Sequence, residues 1–408
     1  MAFEMYLKGS KWRMTRRRRH SNPFVIAILL VLIGASVYVN EVVVPATPPL
    51  FIPTLTPTRS PESFVNEARD AFNTGNLSQA VKLYEEAILV DPGNPSIFLE
   101  LARVQIFNGD YESALTNTKN AQLLNPNNPQ AHALQGWALF FLDDDLAAEA
   151  EFKEALALDP GNPFAHAFYA EMLAYDGQID RAIEESRAAI DQAPNLIEVH
   201  RARGIVFYLT QNYVEAVQEF KAALAINDNI PDLYILLGLN YRALGDAALA
   251  IDAFGVADAL NPANAQPDYL ISRTYFNQGE FAKAVQYAKQ AVQNDPDDPF
   301  MHAALGMSLY KNREYDLAIQ EMGLAVQEIP LTSEQFNVDL YTFYAYAFLR
   351  SNRCAQAVPI LRALLDNVPE NEFAVINATD GIELCGDGLE PTATPDGDEA
   401  VAEPTATP

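Results

Sequence analysis

The sequence predicts an all-α protein, a right-handed α-solenoid of about nine helix–turn–helix hairpins preceded by one N-terminal transmembrane helix. Two observations lead to this fold class. Alanine recurs every 34 residues through most of the chain, and each period contains two stretches with apolar residues three and four positions apart. Ahead of these repeats, a basic leader is followed by a long uncharged apolar run.

Composition narrows the possible functions. The 408 residues include 54 acidic and 27 basic side chains, which gives a net charge of −27. Nucleic acid is therefore not an expected partner, because phosphate binding depends on Lys and Arg. The chain has only two cysteines, too few for a disulfide-rich scaffold or a zinc site made of thiolates, although one pair could form a disulfide.

The N-terminal segment predicts a membrane anchor. Residues 1–22 are a basic cytoplasmic leader with seven Lys or Arg and one Glu, a charge of 7 − 1 = +6. Residues 23–44 are predicted as a transmembrane helix and signal anchor, since 22 residues at about 1.5 Å each can cross a bilayer core. Positive charge stays on the cytoplasmic side, so the rest of the chain is expected to be exocytoplasmic. A signal peptide cleaved after Ala46 is the alternative.

Two Pro/Thr-rich segments flank the repeats. Residues 45–60 are predicted to be an extended linker in polyproline II conformation, because six prolines within 45–61 prevent a helix. Residues 386–408 are predicted to be a disordered acidic tail, since they contain too little apolar surface to fold.

Three series of small residues share the 34-residue period. The first series is Ala80, Ala114, Ala148, Ala182, Ala216, Ala250, Ala284 and Ala318. The second is Ala87, Ala121, Ala155, Ala189, Ala223, Ala257, Ala291 and Ala325. The third is Ala68, Ala102, Gly136, Ala170, Gly204, Gly238, Ser272 and Gly306. Helices are expected to approach too closely at these positions for larger side chains. Glycines that follow the first helix of five repeats fit a left-handed helix terminus.

This pattern resembles the tetratricopeptide repeat (TPR) family, and in particular its membrane-anchored bacterial members, with a 34-residue helix–turn–helix unit. The resemblance covers 61–332 as eight repeats and 333–370 as a ninth, divergent repeat with an insertion at 333–337. Residues 371–385 are then a C-terminal capping helix. The family implies binding of a protein or peptide on the concave face, without catalysis.

The sequence gives no sign of an enzyme. No segment remains for a catalytic domain, and metalloprotease, serine hydrolase and phosphate-loop motifs are absent. We therefore expect no catalytic residue, cofactor or metal. Four histidines share one repeat position: His132, His166, His200 and His302. Equivalent positions in neighbouring hairpins lie about 8–10 Å apart, too far for one shared metal ion, so a structural role is predicted.

The resemblance also implies which residues face a partner. In this family the first helix of each repeat lines the concave face, so the candidate partner-binding residues are Arg69, Arg103, Trp137, Phe141, Phe168, Tyr175 and Tyr208. About half of the aromatic residues at concave positions are expected to be core instead. The Lys/Asn/Arg set with which some members clamp a terminal carboxylate is absent from repeats one to three.

A disulfide between Cys354 and Cys385 is a further prediction. Cys354 begins the second helix of the ninth repeat and Cys385 ends the capping helix, at a similar height in the stack. An exocytoplasmic location would oxidise such a pair. Two unrelated buried thiols remain the alternative.

These expectations combine into a membrane-anchored exocytoplasmic scaffold that assembles protein partners at the cell envelope. Two alternatives stay open from sequence alone. One is an accessory subunit that regulates an envelope enzyme or secretion complex, and the other is a secreted repeat protein that binds glycan.

Overall fold

The computed structural model describes residues 22–39 and 59–386, which belong to two compact units divided at Arg59 and Ser60. The predicted leader, nearly all of the linker and the acidic tail after Gly386 lie outside the described residues. The described part folds into 20 α-helices and contains no strand. It is therefore all-helical, as predicted.

The N-terminal unit is described as one helix, Pro23–Tyr38. Asn22 caps it by accepting a hydrogen bond from the Phe24 amide at 3.0 Å, and Pro23 occupies the first helical turn, where its missing amide proton is not needed. The helix has 16 residues, every one of them exposed, and is therefore only about 24 Å long. Among the described residues, no helix combines the length and apolarity of a membrane span. The predicted span of 23–44 is thus not supported, and its last five residues lie outside the described part.

The second unit is a stack of nine helical hairpins and a final helix. The first helices of the repeats are Pro61–Asn73, Pro95–Phe107, Pro129–Phe141, Pro163–Tyr175, Ile197–Leu209, Pro231–Ala243, Ala265–Asn277, Pro299–Lys311 and Gln335–Arg350. The second helices are Leu77–Val90, Tyr111–Leu124, Asp145–Leu158, Ile179–Gln192, Tyr213–Ile226, Ala247–Leu260, Phe281–Asn294, Tyr315–Glu328 and Cys354–Asn367. The final helix is Glu372–Gly386. Stacked helix pairs of this kind are typical of a TPR solenoid.

The small residues mark the closest approaches within the stack. All members of the two alanine series are fully or almost fully buried. In the third series, glycine stands where the second helix supplies a large side chain. A Cβ added at Gly136 would lie 2.7 Å from the Phe152 ring, and one added at Gly238 would lie 2.5 Å from the Phe254 ring. The period therefore reflects steric fit between the two helices of each hairpin.

The turn within each hairpin requires a left-handed residue. The five predicted glycines have positive φ angles, from 76° at Gly177 to 84° at Gly245. Repeats that lack this glycine place Asp143, Gln211, Arg313 or Asn352 in the same conformation, with φ between 55° and 66°. These four residues adopt the left-handed backbone conformation, which is unfavourable for residues that carry a Cβ.

The first helix of the ninth repeat is longer than those of the other eight. This helix begins at Gln335, inside the predicted insertion of 333–337, and has 16 residues where the others have 13. The inserted residues therefore extend this helix by about one turn. The final helix covers the end of the stack: the Tyr346 hydroxyl donates to the Asn377 carbonyl at 3.0 Å, and a Cβ at Gly381 would meet Leu361 at 2.8 Å.

Cys354 and Cys385 are joined by a disulfide in the structure, with Cα atoms 5.7 Å apart. If this bond forms in the cell, its loop of 31 residues should contribute about 3–4 kcal/mol to the stability of the last repeat. Mass spectrometry of unreduced tryptic peptides should detect the linked pair, and a Cys354→Ser/Cys385→Ser variant should lose protection from hydrogen exchange in the last two helices. Two alkylatable thiols in protein isolated without reductant would contradict the pairing.

Candidate functional site

The first helices of the repeats form the inner face of the solenoid, the surface on which a partner was predicted to bind. Their side chains contact one another across the superhelical turn as well as between neighbours. Arg103 of the second repeat forms an ion pair with Glu198 of the fifth. The Arg201 guanidinium of the fifth repeat lies 5.4 Å from the ring centre of Trp137 in the third. The inner face of repeats one to five is therefore largely filled by the protein itself.

Trp137 and Phe168 lie at the centre of this filled region. Their rings stack with centroids 4.0 Å apart and planes 6° from parallel, and their exposed fractions are 1% and 0%. Both were predicted to line a groove open to a partner. The structure places them in the core because the tight turn of the solenoid closes over them, so neither can be touched by a partner in this conformation.

The other predicted aromatic residues are more accessible. Phe141 is half-buried and stacks on Tyr111, with ring centroids 4.5 Å apart. Tyr208 is also half-buried, whereas Tyr175 is 53% exposed, with its ring centre 5.7 Å from that of Phe140. These three residues stay available for contact with a partner.

The two predicted arginines have partners within the chain. Arg103 pairs with the fully buried Glu198, and Arg69 lies 3.7 Å from Glu100. Burial acts to lower the pKa of Arg103, but the Glu198 carboxylate outweighs it and raises that pKa. These two candidate partner-binding residues are thus already paired with carboxylates of the protein itself.

Arg201 forms a charged triad with Glu171 and Asp232, in which Arg201 and Glu171 are buried and Asp232 is partly exposed. Arg201 donates to Glu171 from Nη1 and to Asp232 from Nε, the latter at 2.8 Å. Burial raises the pKa of the Glu171 carboxyl, while Arg201 opposes that rise and favours the charged form. The indole nitrogen of Trp137 and one oxygen of Glu171 are buried without a hydrogen-bond partner among the described residues. The triad therefore depends on Arg201 to keep both carboxylates compensated.

Glu171, Glu198 and Arg201 were not predicted as site residues. A usable signal existed, because each is a charged residue on an otherwise mostly apolar first helix, and such charges are buried only when paired. Sequence alone does not reveal which repeats face each other across the turn, since that depends on the superhelical pitch.

A small polar cavity lies beside the triad. Its volume is about 130 Å³, and its walls include Arg201 and Asp232 on one side and Tyr111 and Phe141 on another. Asn264 from the loop before the seventh repeat completes it. This cavity is large enough for a few water molecules or one side chain of a partner.

Each of the four histidines connects the loop before its repeat to the second helix of the same repeat. In each of the four repeats, Nδ1 lies 2.6–2.7 Å from a glutamate 19 residues later, and Nε2 lies 2.9–3.0 Å from the carbonyl of a proline six residues earlier. Both partners are acceptors, so only the doubly protonated imidazolium satisfies them together. Within the described part of the chain, no group of metal-ligating side chains converges.

This geometry makes stability depend on pH. The Glu185 carboxylate raises the pKa of His166, and Glu219 does the same for His200; at His302, burial lowers the pKa but Glu321 outweighs it. A raised pKa in the folded state adds stability that is complete below the unfolded value of about 6.5 and lost as pH rises through the folded value.

Replacing Glu185 with Gln should therefore cost about 1 kcal/mol more at pH 6 than at pH 8.5. Urea unfolding at both pH values measures the difference. Glu184→Gln is the matched control, since Glu184 is an exposed neighbour. An equal loss at both pH values would show that His166 does not become charged on folding.

Comparison with known proteins agrees with the repeat architecture. Two tetratricopeptide repeat family models match the chain, one over residues 71–138 and 241–307 and the other over 170–233. The chain is a tetratricopeptide repeat protein. A solved structure of pilF from Pseudomonas aeruginosa is 19% identical with a TM-score of 0.45, over 53% of this chain and 97% of that one. No curated protein matches the chain in sequence. Repeats of this family generally bind protein partners, which makes this array a candidate interaction scaffold.

Proposed function

We propose that this protein is a membrane-anchored, non-enzymatic scaffold whose repeats lie outside the cytoplasm and bind protein partners for assembly at a cell envelope. The observation that carries the proposal is the uninterrupted stack of nine hairpins, which devotes the chain from Pro61 to Asn367 to one extended surface. Such arrays present a long inner face and long helical edges to other proteins.

The inner face is not uniformly available. In repeats one to five the inner face is filled by Trp137, Phe168 and the triad around Arg201. Tyr175 and Tyr208, at the ends of their helices, stay at least partly accessible. We therefore propose that partners contact Tyr175 and Tyr208 and bind along the inner face of the repeats that follow the fifth. Exposed apolar residues on second helices, such as Leu89 and Leu123, extend the available surface.

The anchor is proposed from the sequence that surrounds the first helix. Seven cations precede an uncharged run from Phe24 to Val39, and positive charge of this kind is retained in the cytoplasm. The exposed apolar side chains of Pro23–Tyr38 have no core to enter within their own unit. Pairing of Cys354 with Cys385 also suits an oxidising compartment.

Protease accessibility tests the topology. Protease added to intact spheroplasts should digest the repeat array and leave the basic leader protected. Protection of the repeats until the membrane is opened would place the array on the cytoplasmic side. Partner binding is tested separately, by cross-linking in cells, solubilisation in detergent and identification of the linked proteins. If no protein is recovered above the level of an anchor-only control, the scaffold proposal fails.

A further inference from the structure

Two arginines of the inner face have no carboxylate at ion-pair distance among the described residues. Arg242 lies in the last turn of the first helix of the sixth repeat, and Arg273 lies in the first helix of the seventh. Both are half-buried, yet within the described residues neither forms an ion pair. The Arg242 guanidinium makes no hydrogen bond there either, and the Arg273 guanidinium donates only to the Tyr269 hydroxyl, at 2.9 Å.

This pair contrasts with the other arginines of the repeats. Arg103 and Arg201, the arginines that are more deeply enclosed, are compensated by carboxylates. Arg187 and Arg362, which have no partner in the described part, are exposed and therefore solvated. A half-buried arginine has lost part of its hydration, and without a carboxylate in direct contact this arrangement is unfavourable unless a ligand completes it.

Neither the neighbouring arginine nor the helix dipole compensates the charges of Arg242 and Arg273 fully. Burial and repulsion by Arg273 lower the pKa of Arg242, which means that the two cations act on each other. The position of Arg242 in the last turn of its helix provides some compensation through the helix dipole, but that effect is worth only about 0.3–1 kcal/mol. Arg273 lies in the middle of its helix and has no such compensation.

Aromatic and charged residues from the fifth, seventh and ninth repeats surround Arg242 and Arg273. The Arg273 guanidinium lies 5.7 Å from the Tyr269 ring centre and 5.2 Å from that of Phe336, two repeats away. Tyr208 faces Arg242 from the fifth repeat. Asp339, which accepts a hydrogen bond from Gln335, faces Arg273 and Lys311 from the ninth repeat.

We propose that this part of the inner face, from Tyr208 to Phe336, binds an acidic segment of a protein partner whose carboxylates pair with Arg242 and Arg273. A guanidinium and a carboxylate match in shape and can form two parallel hydrogen bonds, which are strong where water is partly excluded. The negative charge of the neighbouring Asp339 repels a dianionic phosphate more strongly than a singly charged carboxylate, so carboxylates fit the site better. This inference rests on the proposed scaffold function and specifies the chemistry of the partner.

Fluorescence anisotropy with the full-length protein tests the site. The probe is a labelled peptide rich in Glu and Tyr, and its control carries Gln in place of each Glu. We expect the Glu peptide to bind at least about tenfold more tightly than the Gln peptide at low salt. Arg242→Gln and Arg273→Gln should each weaken binding of the Glu peptide by about tenfold or more, a loss of about 1.4 kcal/mol.

Arg362→Gln is the matched control, because it removes the same charge from an exposed site on the ninth repeat. It should leave binding unchanged. Arg242→Gln should not lower the unfolding midpoint, since it removes a cation that burial and Arg273 disfavour and that has no ion-pair partner to lose. Equal affinity for both peptides, or equal losses in all three variants, would overturn the inference.

The chain's own acidic tail is the competing occupant. Replacing Asp and Glu within 387–408 by Asn and Gln in the full-length protein separates the two cases. If the Glu peptide binds only after that replacement, the site belongs to the tail and the partner assignment is overturned. Recovery of cross-linked proteins in cells without any binding of the Glu peptide would refute this inference and leave the scaffold function standing.

Discussion

Replacing Trp137 with alanine is expected to destabilise the array by about 3–5 kcal/mol, because it removes a fully buried ring from a closely packed core. The ring stacks on Phe168, contacts Phe107 at a centroid distance of 5.5 Å and lies beneath the Arg201 guanidinium. No neighbour can move into the space without breaking one of these contacts. Urea unfolding followed by circular dichroism measures the loss.

Tyr175→Ala serves as the control for this variant, since Tyr175 is aromatic but 53% exposed. It should cost far less, within about 1 kcal/mol. If Trp137→Ala kept the stability of the parent protein and weakened partner binding instead, the ring would line an open groove in solution.

Replacing Arg201 with methionine is expected to cost a similar amount, about 3–5 kcal/mol, for an electrostatic reason. The variant leaves the Glu171 carboxylate buried at 1% exposure without a cation, and it removes the partner of Asp232 as well. Unfolding of a repeat array can occur in parts, so hydrogen exchange in the fourth and fifth repeats should be measured together with urea unfolding.

The double variant Arg201→Met/Glu171→Met provides the sharper comparison. Removing both charges should recover most of the loss, because replacing a buried ion pair with apolar residues is often neutral. Arg187→Met, at an exposed site without a partner in the described part, should have little effect. A double variant as unstable as the single one would show that Arg201 acts through packing and not through its charge.

Local features of this fold were predictable because each is encoded within one repeat. The period of 34 residues, the buried alanines and the left-handed residue at Gly75 or Gly177 depend on contacts within a hairpin or between adjacent hairpins. The structural role of His166 followed from its repeat position, and its partner Glu185 lies in the same hairpin.

The inner face was harder to predict because it depends on the pitch of the whole superhelix. Whether Trp137 faces a partner or Arg201 is decided by residues that lie about two repeats apart in sequence. The unpaired state of Arg242 was equally hidden, since it requires that no carboxylate from any nearby repeat reaches it. Small rotations between successive hairpins add up, and sequence patterns do not specify them.

Contacts between the first repeat and the loop after the fifth change how the array responds to force. The Asn229 amide donates to the Asn73 carbonyl at 3.0 Å, and Gly75 lets the chains approach because any Cβ there would lie 2.8 Å from the Asn229 Cβ. In an open solenoid each repeat contacts only its neighbours, so the array can extend by small changes at each junction between repeats. In this protein the first repeat is also bonded to the loop after the fifth repeat. Extending this part of the array requires these bonds to rupture together, so the first five repeats should resist extension more strongly than an open array of the same length.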